Sequence, residues 1–140
     1  MINDFLANGK MKTKTIKQIV NFKAEPAQVY EALMDSKKHS KFTESKCIIG
    51  KSAGDSFFAY DGYIEGKNIE LVPAKRIVQS WRSDGWPQGH YSEVIFEFSK
   101  TKTGTELKFT HKGVPENDFE EKSDGWYGHY WDKMKSAFKW

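Results

Sequence analysis

The sequence predicts an α+β fold in which an antiparallel sheet of six to seven strands packs against one long C-terminal helix. From Ser45 onward, short apolar runs are separated by single glycines, a pattern typical of strands joined by tight turns. The connections between these runs are too short for parallel crossovers, which need about a dozen or more residues. Residues 126–138 then place aromatic side chains at helical spacing. Two short helices are predicted after the first strand.

The first strand and the two short helices open the domain. β-branched and apolar residues over 15–22 favour a strand. Pro26 suits the first turn of a helix, and Val29 and Leu33 follow it at helical spacing. Ser36 is a good N-cap residue, and we expect the second short helix to begin there.

Six further strands are defined by alternation of apolar and polar side chains and by turn residues. Pro73 cannot donate to a central ladder, so the third of these strands should end just before it. Gly85, Pro87 and Gly89 mark the loop between the next two strands, and Trp86 therefore lies on that loop. The predicted strands are residues 46–50, 56–60, 63–71, 76–82, 91–99 and 105–111.

The C-terminal helix is predicted to open near Gly125 and Trp126 and to bury an aromatic face. At 100° per residue this face contains Trp126, Tyr127, Tyr130, Trp131, Met134, Ala137 and Phe138. Acidic residues precede the predicted start, where a helix N-terminus favours negative charge. By alternation, the sheet face opposite the helix should present Trp81, Val94, Phe96, Phe98, Leu107 and Phe109.

Length and charge limit the class of protein. The 140 residues predict a flexible N-terminal leader, 1–14, and a single domain, 15–140. The net charge of +3 comes from 22 basic and 19 acidic residues that are interleaved, which does not favour nucleic acid as a partner. No signal peptide and no apolar run of about 18 residues is present, so we expect a soluble protein without a membrane partner. The single cysteine, Cys47, is expected to be buried and inert, and it indicates a reducing, cytoplasmic location.

Three segments resemble a known family. They are LVPAKRIVQSWRSDGWPQGHYSEV, GTELKFTHKGVP and DGWYGHYWDKMKSAF, and they occur in the family's order. They resemble the C-terminal-type domain of the activators of heat shock protein 90 ATPase, a family within the helix-grip superfamily of birch-allergen-like and START-like (SRPBCC) domains. The resemblance covers about residue 15 to the C-terminus.

This resemblance implies a helix-grip fold, in which the antiparallel sheet is curved and wraps around the long C-terminal helix. It also implies a non-enzymatic cochaperone-like domain that binds a chaperone of the heat shock protein 90 family and stimulates its ATPase. In the eukaryotic activators this domain follows a separate domain that supplies much of the chaperone contact, and nothing in the 140 residues resembles that domain. The alternative is a binder or carrier of a small apolar or aromatic ligand, held between sheet and helix.

The aromatic cluster has two interpretations. It can line a ligand cavity, since such sites are concave and mostly apolar, or it can fill the core. The candidate ligand-binding residues are Trp81, Phe96, Phe109, Trp126, Tyr130, Trp131 and Met134.

The loop after residue 82 provides the candidate partner-binding residues, Trp86, Pro87 and His90. An exposed tryptophan is a frequent anchor in protein interfaces. The alternative is that Trp86 folds back over the end of the sheet and shields Trp81 or Tyr91.

The histidines are the only side chains that ordinarily titrate near neutrality, and they do not predict catalysis. None of the four lies at helical metal-ligand spacing from another, and no serine or cysteine has a base beside it in the sequence. By alternation His111 shares a face with Leu107 and Phe109, so we expect it to point into the core. The sequence therefore predicts a protein that is not an enzyme, with no catalytic residues, no cofactor and no metal.

Overall fold

A computed structural model describes residues 11–140, which form a seven-stranded antiparallel sheet and three helices. The strand order is β1-β7-β6-β5-β4-β3-β2. The strands are β1 (Thr13–Phe22), β2 (Ile48–Ile49), β3 (Ser56–Ala59), β4 (Ile64–Val72), β5 (Arg76–Ser83), β6 (Ser92–Lys100) and β7 (Thr105–Pro115). The predicted fold class is confirmed, and each predicted strand has its counterpart.

The helices are α1 (Pro26–Met34), α2 (Ser36–Thr43) and α3, which spans residues 119–138. Helix α3 consists of Phe119–Trp126, a π-helical turn over Tyr127–Trp131, and Asp132–Phe138. Single 3₁₀ turns, Tyr60–Gly62 and Glu116–Asp118, precede β4 and α3. None of the helices described is both long and apolar enough to cross a membrane.

Strand β1 starts earlier than predicted. Thr13 and Lys14 pair with Pro115 and Val114 of β7, so two residues assigned to the leader belong to the sheet. Both side chains are exposed and the buried alternation begins only at Ile16, which is why apolar patterning missed them. The rest of the predicted leader up to residue 10 lies outside the described residues.

The cap of α2 is one residue earlier than predicted. Asp35 is the N-cap, and its carboxylate accepts a hydrogen bond from the Lys38 amide at 2.9 Å. Ser36 is the first helical residue, and its hydroxyl oxygen accepts from the Ile49 amide. Aspartate and serine are about equally good caps, so the sequence alone could not choose between them.

The core lies between the inner face of the sheet and the helices. All six residues predicted for the inner face are buried: Trp81, Val94, Phe96, Phe98, Leu107 and Phe109. Cys47 is also buried, as predicted, and burial raises the pKa of its thiol.

Helix α3 differs from the prediction in its start and in one turn. It begins at Phe119, so Glu120 and Glu121 lie inside its first turn rather than before it. In the π-helical turn, the Asp132 amide donates to the carbonyl of Tyr127, five residues back. Because this turn is wider than an α-helical one, the predicted face is interrupted and Tyr127 is 44% exposed rather than buried.

Candidate functional site

A pocket of about 380 Å³ opens between the N-terminal half of α3, strand β5 and the segment that enters β4. Its floor is formed by four buried apolar or aromatic side chains, its wall includes the buried Lys122, and its rim is formed by partly or fully exposed residues. The floor residues are Ile64, Trp81, Trp126 and Tyr130. The remaining lining residues are Tyr60, Tyr63, Glu121, Lys122, Gly125 and His129.

The predicted ligand-binding residues are divided between this pocket and the solid core. Trp81, Trp126 and Tyr130 line the pocket. Together with Phe96 they also border a residual gap of about 10 Å³ behind it, too small for a ligand.

Phe109, Trp131 and Met134 do not line this pocket or the gap behind it. All three have 0% exposure and pack in the core. The sequence placed them together because β7 and α3 bury them on facing surfaces. Trp131 instead lies edge-on to Phe109 and flat against Trp126, with ring centroids 5.2 Å and 5.5 Å away.

Trp86 is not the exposed anchor that its glycine- and proline-rich loop suggested. It is only 7% exposed and packs on Trp81, with ring centroids 5.5 Å apart, which is the shielding alternative considered above. Its indole N–H donates to the Asp118 carboxylate at 2.7 Å, and the Lys122 ammonium pairs with the same carboxylate oxygen at 2.9 Å. The loop is thereby fastened to the start of α3.

The other contacts of the loop come from Arg82 and His90. The Arg82 guanidinium donates to the carbonyls of Pro87 at 2.9 Å and of Trp86 at 3.1 Å. His90 Nε2 donates to the Gly113 carbonyl at 2.8 Å. The predicted partner residues thus hold the loop to the rest of the domain, and Gln88 and Gly89 are exposed at its tip.

A Trp86→Phe substitution measures how strongly the loop is fastened. The ring contact with Trp81 is kept, but Asp118 loses a charge-assisted hydrogen bond, so we expect the free energy of unfolding to fall by about 1–3 kcal/mol. Urea unfolding followed by circular dichroism checks this. Tyr91→Phe is the control, since that side chain is 46% exposed and its hydroxyl bond to Glu65 is long, at 3.4 Å. Equal stability of the two variants would contradict the role given to the indole N–H.

His111, predicted to point inward, is fully buried and neutral. The indole N–H of Trp126 donates to its Nδ1 at 3.0 Å, so Nε2 carries the proton and donates to the Ser92 hydroxyl at 2.7 Å. The Ser92 hydroxyl in turn donates to the Trp81 carbonyl. Burial, together with the charge of Lys122, lowers the pKa of His111 to about 3.

His39 is buried in a second network beneath the pocket. Its Nδ1–H donates to the Leu33 carbonyl at 3.0 Å, so Nε2 is the acceptor for the Tyr130 hydroxyl at 2.9 Å. Burial lowers the pKa of His39 to about 4 and raises that of Tyr130 well above its usual value. Both ring nitrogens of each buried histidine are therefore occupied by structural hydrogen bonds.

Two irregular stretches of backbone face each other across the pocket. Tyr60, Asp61 and Gly62 have φ angles of 50°, 56° and 95°, which is strained for the two residues that are not glycine. Opposite them is the π-helical turn of α3. The Tyr60 hydroxyl joins the two by donating to the His129 carbonyl at 2.7 Å, and burial raises the pKa of Tyr60 to about 12.

Sequence reasoning missed more than half of the pocket wall. Tyr60, Tyr63 and Ile64 lie at a strand entry, and alternation gives no indication that they approach α3. Lys122 lies on a helical turn that precedes the predicted start of the helix. Its side chain is 90% buried, which is rare for a lysine unless it is paired, as Lys122 is with Asp118. The spacing of Asp118 and Lys122, four residues apart, is the one sequence signal that could have placed them together on a helix.

The family model described as Activator of Hsp90 ATPase homolog 1-like protein matches residues 23–139. The chain is 34% identical over 132 residues to the Activator of 90 kDa heat shock protein ATPase homolog of Dictyostelium discoideum, which covers 94% of this chain and 34% of that protein. It is 29% identical to homolog 1 from Homo sapiens over 92% of this chain and 38% of that protein. The chain thus spans about a third of the length of these relatives.

The fold of this chain is also similar to the folds of proteins with solved structures. A crystal structure of an HSP90 activator from Plasmodium falciparum matches with a TM-score of 0.82 at 22% identity, covering 93% of this chain and 97% of that one.

Proposed function

The chain belongs to the Activator of Hsp90 ATPase homolog 1-like protein family, and from this we propose that it is a non-enzymatic cochaperone domain that binds a chaperone of the heat shock protein 90 family and stimulates its ATPase. The observation that carries the proposal is the family match, which extends over residues 23–139 and so includes most of the sheet and all of the helices. We further propose that it acts in the cytoplasm, where its buried free Cys47 stays reduced.

The state of the buried histidines supports a non-enzymatic role. A general base needs a free nitrogen within reach of a substrate. In His39 and His111 both ring nitrogens are engaged with protein groups, and both side chains are buried.

We propose the tip of the loop between β5 and β6 as the chaperone contact. Arg82, Trp86 and His90 fix the backbone of this loop from below, so little conformational freedom is lost when a partner binds it. The contact is then made by the exposed Gln88 and Gly89 with the half-buried Pro87, and Trp86 supports the loop without touching the partner.

The test is ATP hydrolysis by the heat shock protein 90 chaperone of the same organism, titrated with this protein. Hydrolysis that remains with a specific inhibitor of the chaperone is subtracted. We expect saturable stimulation, and we expect Gln88→Arg to raise the concentration for half-maximal stimulation about tenfold, because it adds bulk and charge at the contact.

Thr103→Arg is the matched control. It places the same side chain on an exposed loop at the opposite end of β6 and should leave stimulation unchanged. If neither stimulation nor a complex is detected, the cochaperone proposal is wrong. If stimulation occurs and Gln88→Arg behaves like Thr103→Arg, the domain is an activator and the assigned surface is wrong.

A further inference from the structure

We propose that the pocket between α3, β5 and residues 60–64 binds a small, neutral, planar aromatic molecule that carries a carbonyl oxygen. This site lies apart from the tip of the loop proposed as the chaperone contact, and the inference does not depend on that role. The pocket volume of about 380 Å³ lies within the range of small-molecule sites, about 300–1,000 Å³.

The wall of the pocket favours a flat aromatic body. Five of its ten lining residues are tyrosine or tryptophan: Tyr60, Tyr63, Trp81, Trp126 and Tyr130. Aromatic rings gain from stacked or edge-on contacts with another ring in addition to the apolar area that they bury. A planar ligand can make both kinds of contact here, because these side chains come from a strand, a helix and a strand entry and so approach from different sides.

Two hydrogen-bond donors border the pocket. The indole N–H groups of Trp86, Trp126 and Trp131 all have acceptors. That of Trp81 has none among residues 11–140, although every fully enclosed side-chain nitrogen or oxygen in that part of the chain is paired. The Trp81 N–H therefore borders open space. Trp81 lines both the pocket and the gap of about 10 Å³ behind it, and of these two spaces the pocket is the one large enough to hold a ligand, so we assign the N–H to the pocket.

The second donor is the Lys122 ammonium, which lines the same pocket. It has three N–H groups, of which one bonds to Asp118 at 2.9 Å, while Glu121 lies at 3.5 Å. Burial by itself lowers the pKa of Lys122, but the hydrogen bond and charge of Asp118 outweigh it and raise the pKa, so the group stays charged. Because Lys122 and Trp81 both place hydrogen-bond donors on the pocket wall, the pocket favours a ligand that carries a hydrogen-bond acceptor.

The local charge favours a neutral acceptor over a carboxylate. Lys122 already has two carboxylates beside it, so the three groups together are net negative. The remaining titratable groups on the pocket are His129 at the rim and the tyrosine hydroxyls. An anionic ligand would be repelled, whereas a ketone oxygen accepts hydrogen bonds without adding charge.

The backbone around the pocket is unusual on both sides. The left-handed run at residues 60–62 and the π-helical turn of α3 meet there, joined by the Tyr60 hydroxyl. Strained backbone and π-helical turns are both concentrated at functional sites. That two of them border one pocket supports a binding role for it.

The experiment measures binding of three naphthalenes of similar shape by quenching of tryptophan fluorescence and by titration calorimetry. The probe is 2-acetylnaphthalene. 2-Isopropenylnaphthalene replaces the carbonyl oxygen by a CH₂ group and keeps the trigonal carbon, and 2-naphthoate replaces the ketone by an anion. We expect saturable binding of the ketone, about tenfold tighter than that of either analogue.

Two glycines of α3 provide a matched pair of variants. A Cβ at Gly125 would have only an ordinary contact, 3.5 Å from His129, so Gly125→Leu fits locally and fills the pocket. Gly128 is on the same helix with nothing within 4 Å of a Cβ, so Gly128→Leu is the control. We expect Gly125→Leu to weaken binding of the ketone at least about tenfold and Gly128→Leu to leave it unchanged. Lys122→Met should remove most of the preference for the ketone over the hydrocarbon.

Circular dichroism of each variant shows whether it is folded. If Lys122→Met does not fold, the binding measured for Gly125→Leu decides the outcome. Absence of saturable binding of 2-acetylnaphthalene overturns the proposal. So does a folded Gly125→Leu variant that binds as the unsubstituted protein does. Equal binding of ketone and hydrocarbon, or tighter binding of 2-naphthoate, overturns the ligand class.

Discussion

Replacement of Trp131 by alanine is expected to lower the free energy of unfolding by about 3–5 kcal/mol, a large part of the roughly 5–15 kcal/mol that holds a domain folded. The side chain has 0% exposure and contacts rings from three elements, among them Phe22 at 6.3 Å and Phe109 at 5.2 Å between centroids. Its removal leaves a cavity that sheet and helix cannot close. Its N–H also donates to Gln18 Oε1 at 2.8 Å, so the substitution leaves a buried acceptor unpaired.

Urea unfolding followed by circular dichroism measures the change. Tyr127→Ala is the matched control, because it removes a large ring from the same π-helical turn at a position that is 44% exposed. Its effect should stay within about 0.5 kcal/mol. Similar losses for the two variants would mean that the turn does not orient Trp131 into the core as described.

Acid is expected to destabilise the domain by about 4 kcal/mol between pH 7 and pH 5. The pKa of His111 is lowered to about 3 and that of His39 to about 4, both chiefly by burial. An unfolded chain protonates both groups as the pH falls through about 6.5, whereas the folded protein does not, so the unfolded state binds up to two more protons in this range. Stability contributed by the neutral histidines is therefore complete above pH 6.5 and is lost as the pH falls toward their folded pKa values.

The measurement is the free energy of unfolding by urea at steps between pH 7 and pH 5. Near pH 5.5 its slope should correspond to nearly two protons, about 2–3 kcal/mol per pH unit. His39→Gln keeps an amide donor and acceptor in place of the ring nitrogens and should reduce the slope to about one proton. A slope that is flat in this range, or that His39→Gln leaves unchanged, would falsify the assignment of neutral buried histidines.

The fold could be predicted largely from the sequence because strands, helices and turns are specified by residues that are close together in the sequence. Alternation along β5, β6 and β7 determined which side chains face the helix, and glycine and proline marked the turns. The family resemblance implied the same architecture. The local prediction that was wrong is the N-cap of α2, where Asp35 and Ser36 are about equally suitable residues.

The candidate site was predicted less well because it depends on contacts between distant residues. Trp86 was predicted to be exposed because it lies on a loop. Its role in holding that loop depends on the hydrogen bond to Asp118, which is 32 residues later in the sequence. The π-helical turn changed the angular position of Tyr127, which a uniform 100° step cannot represent. Lys122 became part of the pocket wall only because α3 starts at Phe119, nearly two turns before the predicted position.

The pairing of β1 with β7 has a consequence for how the protein is made. Thr13 is opposite Pro115 and Phe22 is opposite Thr105, so the first strand completes the sheet only with the last one. Contacts this far apart in sequence raise the contact order and slow folding. During synthesis on the ribosome, β1 therefore emerges with its apolar side chains Ile16, Val20 and Phe22 unpaired and must wait until β7 has left the exit tunnel. We expect the nascent chain to depend on protection by general chaperones during that interval.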